Sequence, residues 1–392
     1  MAGAVKDDLI ESFDISLTTF SSLGAMYFYA YLIMQIPSGI LADYVGPKKV
    51  SSIGILLAGI SSIGFALSPN IYYAFLFRLL VGIGVSVIYI CILKILTKWF
   101  SQRRFATMAG LTAAVGNVGG ILAQSPLVIM ALWLGWRNSF IFVGIITIIV
   151  GIIAIIVVKD SPTMQAEVGK VENQKSEIIK AIVAVFRNKH TWPPFIMFAT
   201  FFGAFFALTG TWGISYLSTV YGIEQVQAGN LTMFPIIGFA IGAALLGMVS
   251  DKLKKRKTPI LILGSVYVCM WGILVFFNSG GIPIGWIPIL FFILGLCASA
   301  FTLVWSCGKE VNDPEFAGIS TSIVNMAGFV GAIILPVLMG MYLEGFDADN
   351  LVLGYRGAFF MCFVFVLVGL LVSFAIKETG CRNCYRGGEQ KS

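Results

Sequence analysis

Eleven apolar stretches, each long enough to cross a bilayer, constrain this chain more than any other feature. A membrane-spanning helix needs about 20 predominantly apolar residues. Such stretches lie at residues 17–41, 50–68, 71–97, 105–130, 137–158, 194–217, 228–250, 259–278, 287–308, 316–343 and 357–376. They are continuous, whereas the strands of a membrane barrel are alternating segments of about ten residues, so helices are favoured. Only 11% of the residues are charged, against about a quarter in a soluble domain. The sequence predicts an all-α integral membrane protein.

The basic residues indicate how the chain is oriented. If the spans alternate in direction, nearly all lysines and arginines fall on one side, and the other side keeps only Lys6, Arg137 and Arg356. Because basic loops mark the cytoplasmic face, we expect a cytoplasmic C-terminus. This distribution also accounts for the net charge of +7 without a nucleic-acid partner.

A repeated phrase indicates an internal duplication. "GILADYVGPKKV" and "GMVSDKLKKRK" begin at Gly39 and Gly247, 208 residues apart, and both read Gly-x-x-x-Asp followed by basic residues. Two spans precede the second phrase within its half but only one precedes the first. We therefore expect two pseudo-symmetric halves with five and six visible spans, and a first helix missing ahead of residue 1, with a real eleven-helix protein as the alternative. The expected segments are an N-terminal half-bundle (1–158), a cytoplasmic linker (159–193) with an amphipathic helix at 176–190, a C-terminal half-bundle (194–377) and a cytoplasmic tail (378–392).

The repeated phrase has the chemistry of a breakable gate. We expect Gly39 and Gly247 to let a neighbouring helix come close. Asp43 and Asp251 would be held by a helix N-terminus or by a basic partner across the seam between the halves. Lys309 and Glu310 would form an internal ion pair at the same end. The candidate gate residues are Gly39, Asp43, Gly46, Lys48, Lys49, Gly247, Asp251, Arg256, Lys309 and Glu310.

Both phrases resemble the signature of the major facilitator superfamily between helices two and three and its weaker echo between helices eight and nine. Three further stretches resemble that family in order, "RLLVG" (78–82), "KWFSQRRFATMAG" (98–110) and "GWRNSF" (135–140). "MQIPSGILAD" (34–43) is similar to the bacterial branch of sugar-phosphate and organic-anion permeases. The resemblance implies a secondary transporter in a bacterial inner membrane, acting as a monomer without a cofactor.

Arg78 is the candidate anchor for the solute. It lies about 10 Å below the end of its span at 1.5 Å per residue, where a charge is costly unless something receives it. Two readings stay open: a structural arginine tied to carbonyls or a neighbouring helix, and an anchor for an organic anion, which the resemblance favours. The other candidate solute-contacting residues are Tyr27, Tyr31, Gln35, Asn117, Gln124, Trp212, Tyr216 and Asn325.

These features favour a carrier that moves a small solute, an organic anion first, by alternating access. Export of drug-like, siderophore or peptide solutes is one alternative, and a non-transporting receptor or scaffold is another. The spans offer no clustered Asp, Glu or His for an enzyme or a metal site. No carboxylate lies in the middle of a span, so coupling to protons or to another ion gradient stays open. The expected partners are the solute and the lipid bilayer.

Overall fold

The computed structural model describes residues 2–100, 102–160, 174–277 and 282–385. Within them the chain forms helices joined by short turns. The helices are α1 (Lys6–Phe13), α2 (Leu17–Tyr44), α3 (Pro47–Ala66), α4 (Ile71–Ser86), α5 (Ile88–Trp99), α6 (Gln102–Leu122), α7 (Ser125–Leu134), α8 (Trp136–Val157), α9 (Gln174–Arg187), α10 (Trp192–Phe206), α11 (Gly213–Tyr221), α12 (Gln225–Leu253), α13 (Lys257–Phe276), α14 (Ile287–Ala298), α15 (Leu303–Glu310), α16 (Ala317–Leu343) and α17 (Leu351–Ser373).

The predicted spans are present in the described residues. Ten helical stretches are long and apolar enough to cross a membrane, and a bent pair makes an eleventh. That pair, Val115–Leu122 and Ser125–Leu134, meets at 44°, so the single span expected at 105–130 is broken. The break has a local cause, because Pro126 stands in the first turn of α7, where proline's missing N–H is tolerated but cannot continue the preceding helix. The chain is a multi-pass membrane protein.

The surface of α8 shows how these helices suit lipid. Ile145, Ile149, Ile152 and Ile156 recur every three or four residues and are exposed, whereas the opposite face buries small residues such as Gly144 and Gly151. A soluble helix shows the reverse pattern, with its apolar stripe inside. Because hydrocarbon chains are as apolar as isoleucine, such a helix associates through close packing of small residues.

The described residues cluster into two compact units. The first lies within residues 1–169 and 224–229, and the second within 170–223 and 230–392. In the first unit, α3 is the central helix, packed on both α4 and α8. A Cβ on Gly54 of α3 would lie 2.5 Å from the carbonyl oxygen of Gly84 in α4. These two backbones therefore meet directly, which only glycine allows.

The second unit has an aromatic core. Its largest fully buried side chains include Trp212, Trp271, Tyr216, Tyr267 and Tyr355. The ring of Tyr216 lies 4.4 Å from that of Phe359, nearly perpendicular to it, an arrangement favoured by the charge distribution of aromatic rings. The predicted amphipathic helix at 176–190 is present as α9, which buries Ala181 and Val185 and exposes Ile179 and Val183. It belongs to this second unit.

Candidate solute and gate sites

Arg78 of α4 lies beside aromatic side chains and has no acidic partner among the residues that the structure describes. The guanidinium carbon lies 5.5 Å from the centre of the Phe65 ring, within cation–π range. The guanidinium also interacts electrostatically with Tyr27 of α2. Among the described residues, no carboxylate lies within 4.0 Å of it and no acceptor hydrogen-bonds to it. Carbonyl contacts of Arg78 are therefore absent among the described residues, whereas its packing on Phe65 of α3 keeps open the other structural role, contact with a neighbouring helix.

Two tyrosines extend this group along α2. The rings of Tyr27 and Tyr31 have centroids 5.0 Å apart, and the Tyr31 hydroxyl donates to the carbonyl oxygen of Val85 at 3.3 Å. Gln35, one turn further on, is partly buried. The four-residue spacing thus brings Tyr27 and Tyr31 together on α2, and the interaction of Tyr27 with Arg78 of α4 joins the three into one group. A cation flanked by phenol groups can hold a carboxylate, sulfonate or phosphate and hydrogen-bond to its body.

The remaining solute candidates lie on other helices or at their ends. Asn117 is partly buried on α6, Gln124 is buried at the break before α7, and Asn325 is partly buried on α16. Trp212 and Tyr216 are fully buried inside the second unit, and the Trp212 indole N–H donates to the carbonyl oxygen of Pro336 at 3.1 Å. Because their surfaces are covered by their own unit, the structure favours a packing role for both residues.

Two gate candidates of the second unit, Asp251 and Glu310, contact a third, Arg256. Its guanidinium lies 2.7 Å from the Asp251 carboxylate and 3.0 Å from the Glu310 carboxylate, and it donates to Ser250 Oγ at 3.0 Å. Burial by itself lowers the pKa of Arg256, but hydrogen bonds and charge from Glu310, then from Asp251, outweigh it and raise that pKa. We refer to Ser250, Asp251, Arg256 and Glu310 as the gate cluster.

This geometry corrects two expectations. The basic partner of Asp251 is Arg256, five residues further along the chain, and not a residue across the seam between the halves. Glu310 pairs with Arg256, whereas Lys309 is exposed, so the expected Lys309–Glu310 pair is absent. Glu310 pairs with Arg256 and not with Lys309 because the forked guanidinium can bind two carboxylates at once, whereas an ammonium group cannot match that geometry.

The first repeat of the phrase has its own contacts. Gly46 has φ +95° and caps α3, as expected for a tight turn there. The Lys48 backbone N–H donates to Asp160 Oδ1 at 2.6 Å, Lys49 is exposed, and the Gly39 carbonyl accepts from the Lys94 ammonium at 2.8 Å. The Asp43 side chain lies outside the described residues.

Gly39 and Gly247 make no close helix contact within the described residues, and the role expected of them stays a prediction. A Cβ placed on either residue would meet no atom of the described structure within 4 Å. The close helix approaches occur instead inside the units, as at Gly54 and Gly84.

Two acidic residues at equivalent places were missed by the sequence reasoning. Asp160 caps α3 through the N–H of Lys48, and Glu378 caps α13 through the N–H groups of Arg256 and Lys257 at 2.8 and 3.0 Å. Lys48 and Arg256 are 208 residues apart, the spacing of the repeated phrase. Each carboxylate follows the last span of its half, in "VVKDSP" and "AIKETG". The shared Lys-acid-hydroxyl order is the signal that could have found them.

The whole arrangement can be compared with known proteins. The model of the Major Facilitator Superfamily matches residues 1–336. This chain belongs to that superfamily. It is 26% identical over 368 residues to a probable sulfoacetate transporter, SauU, of Cupriavidus necator, covering 88% of this chain and 84% of that protein. It is 24% identical to a hexuronate transporter of Bacillus subtilis, covering 87% and 82%.

A solved structure agrees with the fold. The crystal structure of a bacterial homologue of the human lysosomal transporter Spinster, in an inward-facing and unoccupied conformation, aligns with a TM-score of 0.77 at 18% identity. The alignment covers 95% of this chain and 92% of that one. The family expected from the repeated phrases is therefore confirmed.

Proposed function

We propose that this protein is a secondary transporter that carries a small organic anion across a bacterial cell membrane by alternating access. The observation that carries the proposal is Arg78, a cation within a membrane span that has no acidic partner in the described structure. A buried charge without a partner is costly, and an anionic solute would offset that cost. The relatives named for sulfoacetate and hexuronate support an anion, since both solutes carry a negative charge.

The chemistry of the site follows from its side chains. The Arg78 fork binds a carboxylate or a sulfonate with two parallel hydrogen bonds, and the neighbouring Tyr27 and Tyr31 hydroxyls contact the polar body of the solute. The positive charge of the loops supports a cytoplasmic position for the gate cluster and the C-terminus. The salt bridges of Arg256 stabilise that end of the second half, and their rearrangement accompanies its opening. The carrier functions as a single chain and uses an ion gradient or exchange, with no cofactor.

The decisive experiment measures uptake by proteoliposomes of labelled sulfoacetate and glucuronate. We expect Arg78→Gln to raise the KM by about 10- to 100-fold, the loss of a charged hydrogen bond of about 1.5–3 kcal/mol, and Arg78→Lys to retain part of the affinity. Lys98→Gln is the matched control, because Lys98 is an exposed cation at the end of the same span. Unchanged uptake by Arg78→Gln would contradict the proposal.

Three further outcomes distinguish a receptor, a proton-coupled carrier and an exchanger. Anion binding by the purified protein, seen as a Tm increase, together with no uptake under any gradient would indicate a receptor. Uptake that rises when the outside is made acidic would indicate proton coupling. Uptake that depends on internal anion and not on pH would indicate exchange.

A further inference from the structure

The C-terminal segment Thr379–Tyr385, here called the strap, folds against the gate cluster. The Thr379 hydroxyl hydrogen-bonds to the Glu310 carboxylate, and the Cys384 N–H donates to the Glu310 backbone carbonyl at 2.7 Å. Arg256 Nη2 donates to Glu310 Oε1 at 3.0 Å. The Thr379 hydroxyl donates to the other carboxylate oxygen, Oε2. Arg256 Nε also approaches Oε2, at 3.4 Å. The strap therefore contacts Glu310, the residue that holds Arg256, at both the side-chain carboxylate and the backbone carbonyl of Glu310.

The strap also caps the end of α15. The last carbonyl groups of a helix have no partner within that helix. Asn383 Nδ2 donates to the carbonyl oxygens of Lys309 at 3.3 Å and of Asn312 at 2.9 Å, on either side of Glu310. One amide group thus fixes the turn that follows the helix.

The strap reaches the second loop of the cluster as well. Gly380 and Cys381 both have φ +60°, and this left-handed pair turns the chain back toward α12. The Cys381 thiol then lies 3.7 Å from the Ser250 carbonyl oxygen. The strap thereby joins the loop of Ser250 and Arg256 to the end of α15.

We propose that the strap is a clasp that positions Glu310 and Arg256, and that the gate cluster keeps its geometry only while the strap is bound. Without the strap, the Glu310 carboxylate loses its Thr379 partner and the α15 carbonyls lose their cap. The consequence for transport rests on the proposed function: turnover slows because the ion pairs re-form less readily, while solute affinity is unchanged because no strap residue belongs to the Arg78 group.

The first test needs no solute. Amide hydrogen exchange is measured on peptides covering 250–257 and 308–312, with N-ethylmaleimide alkylation of Cys381 and Cys384 followed by peptide mass spectrometry. We expect Asn383→Ala and the double variant Thr379→Val/Asn383→Ala to raise exchange and alkylation at least tenfold. Thr379→Ser, which keeps the hydroxyl, and a chain ending at Tyr385 are the matched controls and should behave as wild type. Unchanged exchange in both test variants overturns the proposal.

The second test separates positioning from binding. Sulfoacetate uptake by Asn383→Ala should show a several-fold lower maximal rate with an unchanged KM, and the control Thr379→Ser should keep the wild-type rate. A raised KM with an unchanged rate overturns the positioning role. If wild type takes up no sulfoacetate, the anion proposal fails for that solute, and the exchange experiment still decides whether the strap holds the cluster. Size-exclusion profiles identify any variant that has not folded.

Discussion

The Glu378 carboxylate accepts hydrogen bonds from the N–H groups of Arg256, Lys257, Thr379 and Gly380. Burial by itself raises the pKa of Glu378, but these four donors stabilise the ionised form and hold that pKa below its ordinary value of 4.5. A lowered pKa means that the folded state binds the proton less tightly than the unfolded chain does. The stabilisation is therefore complete above about pH 4.5 and is lost as the pH falls through the pKa of the folded state.

Glu378→Gln should show this dependence. At pH 7 we expect a loss of about 1 kcal/mol of unfolding free energy, the typical effect of removing a helix cap. Below pH 4.5 the difference between wild type and variant should shrink, because wild type then protonates its own carboxyl group. Thermal unfolding of both proteins in detergent between pH 7 and pH 3.5 measures this. A difference that stays constant across the range would show that the charge of Glu378 contributes nothing.

Single residues also show how far the sequence could lead. Arg78 and its tyrosines could be predicted, because their spacing along helices is local and a charge within an apolar stretch is conspicuous. The partners of Lys48 and Arg256 could not, because Asp160 and Glu378 lie more than 100 residues away along the chain. The Lys309–Glu310 expectation failed for the same reason: adjacency in sequence suggested a pair, whereas the tertiary fold supplied Arg256.

At the scale of helices, glycines have two distinct environments. The carbonyl oxygens of Gly54 and Gly84 would each lie 2.5 Å from a Cβ placed on the other residue, so α3 and α4 have no room for a methyl group. Gly247 in α12 faces open space. The sequence shows the same residue type at both places, and only the packing of the helices distinguishes them.

Substituting these glycines should separate the two environments. Gly54→Ala should destabilise the first unit by about 1–3 kcal/mol, because backbone atoms cannot move aside as a flexible side chain would. Gly247→Ala should leave stability unchanged or improve it, since alanine favours a helix by about 1 kcal/mol over glycine. Detergent-extracted yield and Tm measure both effects. Equal yields and Tm values for the two variants would contradict the close approach of α3 and α4.

The spans themselves could be predicted well from hydropathy, but two of their breaks could not. The stretch predicted at 71–97 divides into α4 and α5 at Val87, and α10 continues through a π-helical segment at Ala207–Trp212 into α11. Neither break is marked by proline within the segment. Such irregularities depend on which backbone groups find partners in neighbouring helices, which an apolar run does not reveal.

At the scale of the whole molecule, the two halves repeat the same construction with different side chains. Each half places its signature loop before a helix whose N-terminus is held by an acidic residue that follows the last span. The sequence predicted the duplication from the spacing of 208 residues. It did not predict that the ion pair of the gate cluster, between Arg256 and Glu310, forms entirely within the second half.

The signature aspartates should therefore affect transport more than folding. Asp251 has a side chain that is 65% exposed, and exposed ion pairs contribute about 0–1 kcal/mol to stability. We expect Asp43→Asn and Asp251→Asn to lower the uptake rate strongly while the folded yield stays near wild type. Lys252→Gln, at an exposed neighbour of Asp251, is the control. Normal uptake by both aspartate variants would contradict a role of these aspartates in transport.

Orientation in the membrane can be tested with two loops of the second half. Lys255 is exposed beside the gate cluster, and Asp347 is exposed in the loop between α16 and α17. An odd number of spans separates the two positions, α13, α14–α15 and α16, so they should lie on opposite sides. With a membrane-impermeant maleimide and peptide mass spectrometry, Lys255→Cys should be labelled only in inverted vesicles and Asp347→Cys only in right-side-out vesicles. Labelling of both cysteines from the same side would contradict the span count. The reverse pattern would place the gate cluster outside the cell and contradict the cytoplasmic side that the basic loops predict.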